Sequence, residues 1–187
     1  MRTLAGSDEG IPITSTTNDV VVRRITVDDW RRLRQIRIEA LSNSPMAFIT
    51  TADEARQDPD SLWRSRAEQG ASGDGQVTML AVAGDDAVGM AVGFRRTKRP
   101  LDVVPVVAVF VSERARRLGV GARLMAGVEE WAVSVGGRTT SLWVVDGNDG
   151  ARRFYESLGY TATLDRQRIT VPPVRWETRM QKPLTAG

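Results

Sequence analysis

Val103-Val104-Pro105-Val106-Val107-Ala108-Val109-Phe110-Val111 runs directly into Ser112-Glu113-Arg114-Ala115-Arg116-Arg117-Leu118-Gly119-Val120-Gly121-Ala122. The first nine residues are almost continuously apolar, as in a central strand covered on both faces. Pro105 cannot donate to a sheet ladder, so it predicts a bulge, an edge position or a late strand start. The second stretch opens a helix at about Leu118 or Gly119. Val120, Leu124, Val128, Trp131 and Val135 recur on one face of that helix, and Gly136-Gly137 ends it. Free backbone N–H groups at a helix N-terminus, backed by the helix dipole, bind phosphate. Gly119 and Gly121 have no Cβ to hold a ligand off the backbone, and Arg114, Arg116 and Arg117 add positive charge. A plain glycine turn with solvated arginines would give the same letters. The turn alone therefore supports an anion site and no more. A P-loop GxxxxGKS/T and a dinucleotide GxGxxG are both absent.

Outward from this turn the elements alternate. Val20–Ile25 is a β-branched run and predicts the first strand. Thr26-Val27-Asp28-Asp29 matches a capping box, and a helix follows from about Asp28 to Leu41, stopped by Ser44-Pro45. Met46–Gln57 reads as irregular, and Pro59–Glu68 as a second helix. Val77–Ala83 and Ala87–Phe94 form a hairpin around Gly84-Asp85-Asp86, followed by a basic loop, Arg95–Leu101. Ser141–Val145 is a further buried strand. Ala151, Phe154, Tyr155 and Leu158 share one face of the helix after it, which Gly159 stops. Tyr160–Leu164 and Val174–Met180 close the chain as a strand pair. The order β-α-α-β-β-β-α-β-α-β-β predicts an α/β (α+β) domain with a mixed sheet and helices on both faces. Met1–Asp19 reads as a flexible lead-in, residues 20–182 as one domain and residues 183–187 as a tail.

Composition narrows the chemistry. The chain has 187 residues, 41% hydrophobic and 26% charged, which suits one globular core. It has no cysteine and no histidine. Thiol nucleophiles, Zn–thiolate sites, disulfides and histidine bases are therefore excluded, and proton transfer falls to Asp, Glu, Tyr, Lys, substrate or water. No metal site is expected. The net charge of +3 and pI of about 9.9 suit an anionic cofactor and do not select nucleic acid. No apolar stretch is long enough to span a bilayer and no signal peptide is visible, so no membrane association and a cytoplasmic location are expected.

Two blocks carry a family resemblance. Arg116-Arg117-Leu118-Gly119-Val120-Gly121 fits the Q/R-x-x-G-x-G/A motif for acetyl-CoA of the GNAT superfamily of N-acetyltransferases. Asn148-Asp149-Gly150-Ala151-Arg152-Arg153-Phe154-Tyr155-Glu156-Ser157-Leu158-Gly159-Tyr160 resembles that family's N-x-x-A-x-x-F-Y-x-x-x-G-F/Y segment. The blocks stand in the family's order, a helix and a strand apart. The resemblance implies the GNAT fold: a central, mostly antiparallel mixed sheet whose two parallel strands splay.

The resemblance further implies an enzyme that moves an acetyl group from acetyl-CoA to a primary amine of a small molecule or peptide by direct attack. Val109, Phe110 and Val111 would hold the pantetheine arm along the strand backbone. Arg116, Arg117, Leu118, Gly119, Val120, Gly121 and Ala122 would hold the pyrophosphate. Asn148 matches the asparagine beside the cofactor arm, and equally reads as a helix N-cap. Tyr155 matches the tyrosine proposed to protonate the departing thiolate and is the catalytic residue expected, with a core aromatic as the alternative. Trp143 stands where some members carry a catalytic Glu, so it packs in the core or lines the acceptor groove. Glu113, Asp102, Glu54, Asp53 and Glu39 are the carboxylates considered as base, with Glu54 favoured because it falls in the variable acceptor region. Alternatives are a protein N-terminal amine acetyltransferase, an acyl-CoA-binding sensor without catalysis, and a nucleic-acid binder using its arginines. A homodimer fits the family.

Overall fold

The computed structural model describes residues 20–73, 75–95, 102–170 and 172–185. The short strand β1 (Val21–Arg24) leads through a 3-10 turn, Val27–Asp29, into α1 (Trp30–Asn43). The cap expected at Thr26 forms around Asp29, whose Oδ2 accepts from Thr26 N–H and Thr26 Oγ1–H, each at 2.8 Å. Asp29 does more than cap. It is 1% exposed and receives Arg23 at 2.6 Å and Arg32 at 2.9 Å, which ties β1 to α1. The Arg23 guanidinium above all holds the Asp29 carboxyl well below the usual carboxylate range.

Helices α2 (Ala52–Gln57) and α3 (Asp60–Ala71) follow, then the hairpin β2 (Gln76–Ala83) and β3 (Asp86–Phe94). The central strand β4 (Val103–Val111) passes into α4 (Val120–Ser134), then β5 (Thr139–Val145) and α5 (Asp149–Ser157). The strands β6 (Thr161–Ile169) and β7 (Arg175–Pro183) complete the chain. The seven strands lie in the order β1-β2-β3-β4-β5-β7-β6. The β4–β5 pair is parallel and the other pairs are antiparallel. This is the mixed α/β sheet expected from the sequence.

The differences from expectation have local causes. The segment expected to be irregular contains α2, a six-residue helix with only Ala55 buried, too short to show a helical period. Strand β6 extends five residues beyond the expected Leu164, to Ile169. It lies at the sheet edge with most side chains exposed, Leu164 fully so, and no apolar alternation marks it. The basic loop after Arg95, the lead-in Met1–Asp19 and residues 186–187 lie outside the described residues.

Two cores flank the sheet. Helix α4 and Tyr155 of α5 pack on one face with Val104, Val106, Leu142 and Met180. Helices α1 and α3 pack on the other with Leu80, Met90 and Phe110. Along β4, Val104 and Val106 face α4, yet so do Val109 and Val111, while Ala108 and Phe110 face α1. Strict alternation would put 104, 106, 108 and 110 together. The parity changes between Val106 and Val109, and that change makes the site.

Candidate functional site

The change of parity is a β-bulge. Met90 and Val92 of β3 oppose Phe110 and Val107 of β4, so two steps on one strand meet three on the other. Ala108 takes up the extra residue with φ +54°. A left-handed alanine costs about 1–2 kcal/mol, and such strain persists where the surrounding structure fixes it. On the other edge of β4, pairing with β5 covers only Val103↔Thr139, Val104↔Thr140 and Pro105↔Ser141. Among the described residues β4 and β5 pair no further, so the two parallel strands splay beside Val106–Val111. Pro105 therefore ends the parallel pairing, and the bulge lies three residues later at Ala108.

The turn after β4 is built on backbone. Arg116 N–H donates to Glu113 O at 3.2 Å, and Arg123 N–H donates to Gly119 O at 3.1 Å. Between them, among the described residues, the amides of residues 117–122 have no backbone acceptor. Arg117 has φ +64° and Gly119 φ +71°, and left-handed residues in such a turn gather successive N–H groups into an anion-binding concavity. A Cβ on Gly119 would meet nothing within 4 Å, so that glycine serves conformation and access. Gly121 differs from expectation. Its Cβ would fall 2.9 Å from Phe154 Cζ, so its small size lets α4 approach α5. Arg116 braces the turn, with its Nε donating to Val111 O at 3.2 Å and its Nη1 3.4 Å from Glu113. Arg114 is engaged by Asp86 at 3.0 Å.

Between the splayed strands lies a cavity of about 140 Å³. Val109, Trp143, Asn148 and Tyr155 are among its walls, and Phe48 closes it from the α1 side. Tyr155 is 8% exposed, and burial pushes its phenol up, so the O–H stays protonated through neutral pH. Tyr160, between α5 and β6, provides a contrast. Its hydroxyl lies 2.8 Å from Thr140 Oγ1 and donates to Glu129 at 3.0 Å, and Lys182 donates to the same carboxylate. That hydroxyl is occupied by the core, whereas Tyr155 faces the cavity. Asn148 is the N-cap of α5, its Oδ1 accepting from Ala151 N–H at 3.1 Å, and it also borders the cavity. Trp143 is 36% exposed and lines the cleft.

A second cavity of about 290 Å³ opens on the α1–α3 face. Leu33 and Arg37 of α1, Trp63 and Arg66 of α3, and Met90 of β3 form much of it. It shares Val107 and Ala108, and no other residue, with the first cavity. The bulge is thus the partition between a space on the α5 side and a space on the α1 side.

None of the five carboxylates considered as base lines either cavity. Glu54 is spent as the capping box of α2, accepting from Thr51 N–H at 2.8 Å. Asp53 pairs with Arg56, and Glu113 with Arg116. Among the described residues the carboxylate that does line the second cavity is Asp58, 2.9 Å from Arg66 Nη1. Nothing in the sequence singled out Asp58, Arg37 or Trp63. Their convergence depends on the crossing of α1 and α3.

The sequence model of the Acetyltransferase (GNAT) family matches residues 30–160, well over half the chain. The chain belongs to the GNAT acetyltransferase family. Its fold recurs in solved GNAT structures. A GNAT acetyltransferase from Streptococcus pneumoniae superposes with a TM-score of 0.74 at 18% identity, covering 89% of this chain and 100% of that one. A GNAT phosphinothricin acetyltransferase from Sinorhizobium meliloti, solved with acetyl-CoA, gives a TM-score of 0.73 at 18% identity, over 90% of each chain. A ribosomal-protein-alanine N-acetyltransferase from Brucella melitensis gives 0.68 at 20% identity, covering 88% of this chain and 99% of that one. A search of curated proteins found no match.

The site presents backbone groups that could take a ligand at two places. The turn offers unpaired amides beside a left-handed glycine for a diphosphate. The open edge of β4 offers strand-like hydrogen bonding to an extended arm. Among the described residues no helix is long and apolar enough to cross a membrane.

Proposed function

We propose that this GNAT acetyltransferase moves an acetyl group from acetyl-CoA to a primary amine of a small molecule or peptide by direct attack at the β4 bulge. The observation that carries this reading is the meeting of two cavities at Val107 and Ala108, one beside Tyr155 and one beneath α1 and α3. Acetyl-CoA would bring the acetyl group activated as a thioester. The amides of residues 117–122 hold its diphosphate, and the β4 backbone from Val109 to Val111 holds the arm by hydrogen bonds on its open edge. Backbone N–H groups of the same edge polarise the thioester carbonyl. The amine enters from the α1–α3 side. Tyr155 supplies an O–H to the departing sulfur, a role that its raised pKa suits. The proton that the attacking nitrogen sheds returns to the Tyr155 oxygen through water, so that the thioester C–S bond is exchanged for a C–N bond and a thiol leaves. Asn148 holds α5, and with it Tyr155, in place.

With no cysteine in the chain, no acyl-cysteine intermediate is open to it. The names of the similar structures span a small molecule, phosphinothricin, and a protein terminus, ribosomal-protein alanine. The 290 Å³ acceptor-side cavity favours a small acceptor or a peptide end. An amine panel incubated with acetyl-CoA, read by CoA release and by product mass, tests the proposal. The expected result is a mass gain of one acetyl group on at least one amine. CoA release without acetylated product would mean hydrolysis and would remove the amine from the account.

A further inference from the structure

Two residues that line the acceptor-side cavity each carry a buried N–H donor with no hydrogen-bond partner among the described residues, Arg37 Nη1 and Trp63 Nε1. Buried donors are almost always paired, and an unpaired one costs about 1–3 kcal/mol, more when charged. Two of them in one cavity call for an acceptor from outside. Arg37 is held ready for one. Its guanidinium carbon lies 4.4 Å from the centroid of the Phe48 ring, a stacking contact that fixes the guanidinium plane.

The charges point to the sign of that missing group. Arg37, Arg66 and Asp58 are the charged side chains lining the cavity, and Asp58 is committed to Arg66 at 2.9 Å. Arg66 also stacks on Trp63, 4.6 Å from the ring centroid. Among the described residues one positive charge is left without a counter-charge, in a cavity whose other walls include Leu33, Leu41 and Met90. Burial, with Arg66 adding to it, lowers the Arg37 pKa to about 10, so the group is cationic at neutral pH and gains from an anion beside it. A guanidinium fork matches a carboxylate with two parallel hydrogen bonds, and the indole N–H can serve an oxygen of the same group.

We infer that the acceptor is an amine that also carries a carboxylate, an amino acid in chemical class, with Arg37 as the residue that selects it and Trp63 Nε1–H as a second donor. Arg37 grips the carboxylate under α1 and α3, the apolar walls take the side chain, and the amine is turned toward Val107 and Ala108. The inference rests on the transferase reading above and deepens it.

The test compares acids with their neutral amides on the full chain. Phenylalanine and phenylalaninamide, and leucine and leucinamide, are offered with acetyl-CoA, and kcat/KM is taken from CoA release. The wild type is expected to prefer each acid by roughly 10- to 100-fold, the worth of a charge-assisted hydrogen-bonded pair. Arg37→Gln and Arg37→Lys are expected to bring that ratio close to one for Gln and to an intermediate value for Lys. A separate calorimetric measurement, without acetyl-CoA, uses N-acetylphenylalanine against N-acetylphenylalaninamide. The acid is expected to bind more tightly to the wild type and to lose that advantage in Arg37→Gln. Equal rates for acid and amide, a preference for the amide, or an acid preference that survives Arg37→Gln would overturn the inference while leaving amine acetylation standing. Failure of acetyl-CoA to bind would overturn the transferase reading itself, and the calorimetric pair would still decide whether Arg37 holds a carboxylate.

Discussion

The two sides of the β4 bulge are built from different materials. On the side proposed for the donor, from Val103 to Tyr160, the groups on offer are backbone: among the described residues, unpaired amides at residues 117–122 and an open strand edge beyond Pro105. On the acceptor side, from Trp30 to Ala71, they are side chains: Arg37, Trp63, Arg66 and Asp58 around one cavity. Backbone recognition constrains sequence through conformation. It needs a left-handed glycine at Gly119 and a small residue at Gly121, and it leaves a short motif that can be read by eye. Side-chain recognition needs only that α1 and α3 cross correctly, and it leaves nothing contiguous. A donor that is shared and an acceptor that varies would produce this division.

The largest test of the contrast strikes the donor side alone. Gly121→Glu puts a Cβ against Phe154 and a carboxylate at an anion site. Like-charge juxtaposition costs several kcal/mol, so acetyl-CoA affinity should fall by at least about 1,000-fold in calorimetry. Retained affinity would show that the turn is packing and not a phosphate site. On the acceptor side, Asp29 anchors α1 to β1 through Arg23 and Arg32. Asp29→Ala should lower unfolding stability by about 2 kcal/mol, because it removes the carboxylate that receives Arg23, Arg32 and the Thr26 amide. The folded pKa of Asp29 is depressed, so its stabilisation is present above the unfolded value of about 4 and is lost as pH falls below it. Urea melts of the wild type and the variant should therefore converge toward acid pH, and parallel curves would remove Asp29 from the account.

Tyr155→Phe comes next, with turnover reduced on the order of 100-fold and acetyl-CoA affinity little changed, as measured by steady-state rates beside calorimetry. Equal turnover would make Tyr155 a packing residue. The smallest effect belongs to Asn148→Ala, about 1 kcal/mol of stability from the lost cap. A loss of acetyl-CoA affinity without a loss of stability would instead assign Asn148 to ligand contact.

Much of the fold was legible because its long elements are strongly patterned. The apolar run at Val103–Val111 and the helical face from Val120 to Trp131 stand where expected. Helix α2 was missed, although Thr51 and Glu54 carry a capping-box spacing that marked its start. The bulge was invisible for a physical reason. Ala108 has no residue-type signature for a left-handed φ, and the strain is fixed by pairing with β3, a long-range cause. Pro105 offered the nearest signal and lies three residues away. Among the candidate site residues, those of the turn and Tyr155 were read from local motifs. The pair Arg37 and Trp63 was not, since each looks like an ordinary helix residue until α1 and α3 are packed.

A crystal structure of the chain with acetyl-CoA tests the central claim most directly. The account predicts the diphosphate on the amides of residues 117–122, the arm along Val109–Val111, and the thioester at Ala108 within reach of Tyr155 Oη. A diphosphate seated elsewhere, or an acetyl group walled off from the cavity that holds Arg37, would contradict it.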